Sequence, residues 1–185
     1  MHLTKPFCTL LLAVNLAACG NVVLPTVAQL ANISPLEADP AGFEVLVDLP
    51  TGVSIRPQSA VLTLSAVHEM QSKEISGAYV LEQAPSDMGL RLFRIAPADL
   101  EQIREFQSIA RAWESEDPDA SHGSISVNVI ACALGDGPAS DAVFSLSLKT
   151  RTTGEFMPLI RNASVRDILD PGATSKQPIG VKQCG

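Results

Sequence analysis

Aromatic and basic residues are scarce in this chain of 185 residues. Phe, Tyr and Trp make up 4% of it, with one Trp and one Tyr, so the sequence offers no series of rings on which bases or sugars could stack. Lys and Arg number 13 against 20 Asp and Glu, for a formal net charge of −7, and no run of basic residues occurs. Because nucleic acids and anionic lipid head groups are bound by clustered cations, the composition predicts no nucleic-acid partner.

The common catalytic motifs are also missing. The chain has no Gly-x-Ser-x-Gly, no Gly-x-x-x-x-Gly-Lys and no His-Glu-x-x-His sequence. Beyond the first 18 residues, only His68 and His122 remain for acid–base or zinc chemistry. We therefore predict a protein with no catalytic residues, no cofactor and no enzymatic activity.

Acidic residues cluster near His122, where a hard cation or a pair of catalytic carboxylates is the functional alternative. Asp117 and Asp119 precede His122 in a predicted loop, and Glu114 and Glu116 close a predicted helix. Neighbouring acids at a helix end seldom face each other across a substrate, and loop acids beside a glycine are typical of turns. The sequence therefore predicts a solvated acidic surface here and no metal site.

The N-terminus combines a basic residue, an apolar run and a cysteine that follows two small residues. Lys5 is followed by an apolar run from Phe7 to Val14 and by the sequence Leu16-Ala17-Ala18-Cys19. This run is much shorter than the roughly 20 residues that a membrane-spanning helix needs. An aliphatic residue, two small residues and a cysteine form the cleavage box of type II signal peptides, so the first tenth of the chain resembles that of bacterial lipoproteins.

The resemblance implies cleavage before Cys19 and lipid attachment to its sulfur, commonly with a further acyl chain on the freed amine. Two or more chains anchor a protein stably, since each buried methylene contributes about 0.8 kcal/mol. Gly20, in place of the aspartate that retains such proteins in the inner membrane, implies the outer membrane, with the domain facing the periplasm. An ordinary secretory leader with a chance cysteine is the alternative.

Four cysteines occur in the chain. Cys8 lies in the leader and Cys19 carries the predicted lipid, so Cys132 and Cys184 remain as a pair. Because the periplasm is oxidising, we predict a disulfide between them. A catalytic or metal-binding pair is the alternative, but the sequence has no Cys-x-x-Cys and no histidine near either residue.

Composition and pattern divide the chain into four parts. We predict a cleaved leader at 1–18, a lipid anchor and tether at 19–42, a β domain at 43–169, and a tail at 170–185 that the disulfide ties back. The tether contains three prolines and no clean periodicity. Packing of residues 22–24 or 27–33 on the domain as an added strand or short helix is the alternative.

Short alternating apolar runs separated by Gly, Pro and Ser dominate the domain and predict antiparallel strands. The stripe Leu100, Ile103, Phe106, Ala110 and Trp113 has helical spacing and predicts one inserted α-helix near residues 97–115. A further helical turn is predicted at 165–169, capped by Ser164. Together these features predict a mainly β fold, an antiparallel β-sandwich of about seven strands and immunoglobulin-like in size. The predicted strands lie at 43–49, 60–67, 78–83, 90–95, 124–131, 143–150 and 156–160.

No motif selects a function for this domain. One hypothesis is a non-catalytic envelope lipoprotein that binds another protein, for example as a pilotin-like or assembly factor. The alternative is a binding module for a small apolar ligand between helix and sheet, with Leu100, Ile103, Phe106 and Trp113 as one wall. An apolar cavity lined by those residues favours the second hypothesis, and an exposed sheet edge with an apolar patch favours the first.

Overall fold

The computed structural model describes residues 38–86, 90–169 and 182–184. The predicted leader, Cys19 and the tether up to residue 37 lie outside the described residues. The strands are β1 (Glu44–Asp48), β2 (Val53–Ile55), β3 (Val61–His68), β4 (Lys73–Ala84), β5 (Arg91–Ile95), β6 (Ser121–Asn128), β7 (Ala131–Ala133), β8 (Val143–Lys149) and β9 (Met157–Ser164), and the helices are α1 (Leu100–Glu116) and α2 (Val165–Leu169).

Seven of these strands form one curled antiparallel sheet in the order β6-β3-β4-β5-β1-β8-β9. The strands β2 and β7 form a second, two-stranded sheet. The predicted fold class is therefore confirmed: the domain is mainly β, with one long helix between β5 and β6. Strand β1 lies between β5 and β8, which come from distant parts of the chain.

Alternation of apolar residues positions the core as the sequence predicts. In β3 every second residue is buried, among them Leu62, Leu64 and Ala66, and in β1 Val45 and Val47 are buried in the same way. Successive side chains of a strand point to opposite faces, so one face of the large sheet carries these apolar side chains. The core includes these side chains and the buried side of α1.

Helix α1 buries the predicted stripe, with Ile103, Phe106 and Ala110 almost fully inaccessible. Pro97 begins a 3-10 turn that leads directly into the helix. At the other end, the backbone N–H of Asp117 donates to the carbonyl of Trp113, and the Asp117 carboxylate accepts from the backbone N–H of Ala120. This polar turn directs the chain into β6.

The C-terminal end of β6 differs from the prediction. The alternation from 124 to 131 predicted a single strand that runs into Cys132, but β6 ends at Asn128 and Cys132 belongs to β7. Strand β7 pairs with β2, a strand of three residues that the sequence analysis missed. The reason is that two short strands in succession show the same alternation as one long strand, while each pairs with a different neighbour.

The C-terminal residues join the small sheet. A disulfide links Cys132 to Cys184, in agreement with the cysteine count, and their Cα atoms are 5.0 Å apart. The backbone N–H of Ala133 donates to the carbonyl of Lys182, and that of Cys184 donates to the carbonyl of Ala133. Residues 182–184 are therefore held by backbone hydrogen bonds as well as by the covalent link, and the rest of the predicted tail lies outside the described residues.

The last strand and helix agree in type with the prediction. Strand β9 continues to Ser164, four residues beyond its predicted end, and it is an edge of the sheet, as Pro158 indicates. The Ser164 hydroxyl accepts from the backbone N–H of Arg166, so it caps α2 as predicted.

Tyr79, the sole tyrosine, lies directly over a glycine. A Cβ atom on Gly77 would stand 2.5 Å from the Tyr79 hydroxyl oxygen, so a larger residue at this position would displace the ring. Burial raises the pKa of the Tyr79 phenol above its usual value of 10.0, and the carboxylates of Asp99 and Glu105 raise it further. Each of these effects favours the neutral phenol.

Candidate ligand-binding cavity

A cavity of about 650 Å³ lies between α1 and the concave face of the large sheet. The helix contributes Ile103, Gln107, Ala110, Trp113 and Glu114, which lie along one face of α1. At a rise of about 1.5 Å per residue, the stretch from Ile103 to Glu114 is roughly 16 Å long. The cavity is therefore long and follows the helix axis.

The sheet forms the opposite wall with inward-facing apolar residues. Strands β1, β3, β5 and β8 contribute Val45, Leu62, Leu64, Ile95, Leu146 and Leu148. Residues of both edge strands, β6 and β9, also line the cavity, including Ile125 and Leu159. The curl of the sheet thus brings its two edges to the same cavity, and the lining is dominated by aliphatic side chains.

Residues 38–40 line one end of the cavity, although they were predicted to be part of the tether. Ala38 is buried, and its carbonyl accepts a hydrogen bond of 2.8 Å from the Gln107 amide. Asp39 forms ion pairs with Arg104, at 3.6 Å, and with Arg151, at 2.9 Å. These contacts hold residues 38–40 against the helix at this end of the cavity.

The other end of the cavity carries buried polar atoms. Ser121 lines the cavity, and its strand partner across the β3–β6 pairing is His68, whose side chain is 2% exposed. The His68 ring meets Trp113 edge to face at 6.0 Å between centroids. Within the described residues, both His68 nitrogens and the Ser121 hydroxyl lack a hydrogen-bond partner, and the Glu116 carboxylate is 3.9 Å from His68 Nε2.

Acidic residues surround the rim at this end. Glu114 lines the cavity and is exposed to solvent. His122 is exposed as well, and its Nε2 atom lies 3.6 Å from the Glu69 carboxylate. None of the residues that line the cavity in the described part of the chain is a lysine or an arginine. The local charge at this rim is therefore negative.

The helix residues proposed as one wall of a ligand site fall into two groups. Ile103 and Trp113 line the cavity, whereas Leu100 and Phe106 pack into the core beside it. Gln107 and Ser121 also line the cavity but were not predicted as site residues, because a glutamine in a helix and a serine in a strand resemble surface residues. Their only sequence signal is position: Gln107 lies four residues after Ile103, and Ser121 begins a strand.

The acidic residues near His122 do not form a metal centre. Across residues 38–86, 90–169 and 182–184, no group of three His, Cys, Asp or Glu side chains is placed to hold a metal ion. His122 lies in β6, not in the predicted loop, because pairing with β3 extends to the start of that strand. Asp117 caps a turn, and Glu116 accepts from the Gln71 amide at 2.8 Å, so both have structural partners.

None of the helices in the described residues has the length and apolar character needed to cross a membrane. Cys19, the predicted lipid attachment site, lies outside the described residues. Comparison of the chain with protein families, with curated proteins and with solved structures finds no match in any of the three.

Proposed function

We propose that this chain is a non-catalytic lipoprotein of the bacterial outer membrane, anchored through Cys19, whose periplasmic domain binds an apolar ligand in the cavity under α1. The cavity carries the proposal. Its volume of about 650 Å³ falls within the range of about 300–1,000 Å³ that is usual for small-molecule sites. Its walls are largely aliphatic, with a smaller number of polar groups, as in most such sites.

A substitution that fills the cavity tests the binding site. Ala110 lies in the middle of the helix wall, so Ala110→Leu places three more carbon atoms inside the cavity. Ala112 is exposed on the other side of α1, and Ala112→Leu is the matched control. We expect the full chain to bind an uncharged naphthylamine dye saturably, the Ala110→Leu variant to bind it at least tenfold more weakly, and the control to bind it normally. Equal binding by all three proteins would refute the site.

The anchor has its own test. Cys19→Ala removes the sulfur that the lipid would modify, so we expect the variant to lose labelling by a radioactive fatty acid and to leave the membrane fraction. Cys8→Ala, in the leader, is the matched control and should change neither result. Unchanged fractionation of the Cys19 variant would overturn the lipoprotein assignment without bearing on the cavity.

A second candidate function is the binding of an envelope protein, which is the first hypothesis of the sequence analysis. Two observations favour it: β6 is an edge of the sheet, and Ile130 and Leu134, on either side of β7, are 55% and 47% exposed. Edge strands and exposed apolar side chains are common docking elements. Mass spectrometry of proteins that co-purify with the lipidated chain, compared with the same experiment on Ile130→Asp, tests it. A partner lost in that variant supports this function, and identical sets of proteins would contradict it.

A further inference from the structure

The charges and polar groups of the cavity restrict the ligand. We infer that it is an uncharged amphiphile, a single aliphatic chain that ends in a hydroxyl group, with the hydroxyl at the Ser121 end. This inference rests on the proposed function, because it assigns the chemical class of the ligand in that cavity. It follows from three features of the site.

The first feature is the distribution of charge. Glu114 at the rim and Glu116 beside His68 would repel a carboxylate or a phosphate placed at this end. At the opposite end, Arg104 and Arg151 are already paired with Asp39. An anionic head group would therefore lose its water and gain no free cation in return, a combination that disfavours binding.

The second feature is the set of polar atoms without partners. His68 and Ser121 lie opposite each other on paired strands, so their Cβ atoms are about 4.5–5.5 Å apart on one face. A neutral imidazole has one donor and one acceptor nitrogen, and a serine hydroxyl both donates and accepts. The Ser121 hydroxyl turns about a single side-chain bond, and an incoming alcohol can then donate to it or accept from it.

The third feature is the shape of the cavity. The helix wall is roughly 16 Å long, and apolar side chains line both faces along it, which suits an extended aliphatic chain. Trp113 lies between this apolar stretch and the polar end. As the only tryptophan of the chain, it reports binding through its own fluorescence.

Titration of Trp113 fluorescence with decanol, decanoate and decane tests the inference. The full-length chain with Cys19→Ala is used, because it lacks the sulfur to which a lipid would be attached. We expect decanol to bind more tightly than the other two. Ser121→Ala should weaken decanol binding about five- to tenfold, the effect of one lost hydrogen bond, and should leave decane binding unchanged. Ser76→Ala, at an exposed serine of β4, is the matched control.

The possible results separate the inference from the function on which it rests. If decanol and decane bind equally, and Ser121→Ala changes neither, the hydroxyl assignment is wrong while the apolar cavity stands. Decanoate binding as tight as that of decanol would refute the charge argument, and Glu114→Gln should strengthen decanoate binding if the argument is right. Failure of all three compounds to bind would refute the proposed function and this inference with it.

Discussion

Removal of the disulfide should destabilise the domain mainly through its unfolded state. Cys184→Ala breaks the link and keeps the Cys132 side chain, which is 1% exposed, in its place. The two cysteines are 52 residues apart, so the link removes about 4 kcal/mol of chain entropy from the unfolded state. The hydrogen bonds between Ala133 and the tail are weakened as well. We expect the free energy of unfolding to fall by about 3–4 kcal/mol.

Urea unfolding followed by circular dichroism measures this change. Because the unlinked unfolded chain is more expanded, the dependence of unfolding free energy on urea should also become steeper. Wild-type protein unfolded in the presence of a reducing agent is the control and should match the variant. A loss below about 1 kcal/mol, or a reduced wild type as stable as the oxidised protein, would refute the reasoning.

Three further predictions concern stability. Burial raises the pKa of the Tyr79 phenol in the folded protein above its value of about 10 in the unfolded chain. The neutral phenol therefore stabilises the fold fully below about pH 10, and this stabilisation is lost as the pH rises towards the raised pKa. We expect the unfolding free energy to fall in alkali, and to fall less in Tyr79→Phe. Gly77→Ala should cost about 1–3 kcal/mol in urea unfolding, because its methyl group overlaps the Tyr79 ring, and the cost should largely disappear in the Tyr79→Leu background. The Glu44 side chain is 15% exposed and forms ion pairs with Arg94 on β5 and Lys149 on β8, so Glu44→Gln should lower the unfolding free energy by about 1 kcal/mol. Glu101→Gln is the control and should change it little, because the ion pair of Glu101 with Arg104 is exposed. No effect of Glu44→Gln beyond that of the Glu101 variant would contradict the last of these.

Local periodicity predicted the element types well, because a single buried face imposes a period. The helical stripe from Leu100 to Trp113 and the alternation in β3 each report which side chains face inward. Pairing between distant segments leaves no such signal. Nothing in Glu44–Asp48 indicates that its neighbours are β5 and β8, or that the alternation after Ser124 is divided between two sheets.

The cavity was predicted only as an alternative, for a related reason. Periodicity shows that Ile103 and Leu62 both face inward, but it carries no information on the distance between the helix and the sheet. Contacts along α1 bear on that distance, among them the hydrogen bond from Gln107 to Ala38 and the packing of Trp113 against His68. Gln107 and His68 are residue types that also occur on protein surfaces, so no sequence pattern distinguishes the contacts that they make.

The sign of a stability change can establish whether the helix and the sheet stand apart in solution. In a fully packed core, Ala110→Leu would overfill the structure and cost about 1–3 kcal/mol. Beside a cavity of about 650 Å³, the same side chain has room and buries three more carbon atoms, which favours folding by about 2 kcal/mol. The substitution expected to weaken ligand binding at least tenfold is thus also expected to stabilise the ligand-free domain. The sign of the change in unfolding free energy therefore distinguishes a packed core, which the substitution destabilises, from a cavity, which it fills.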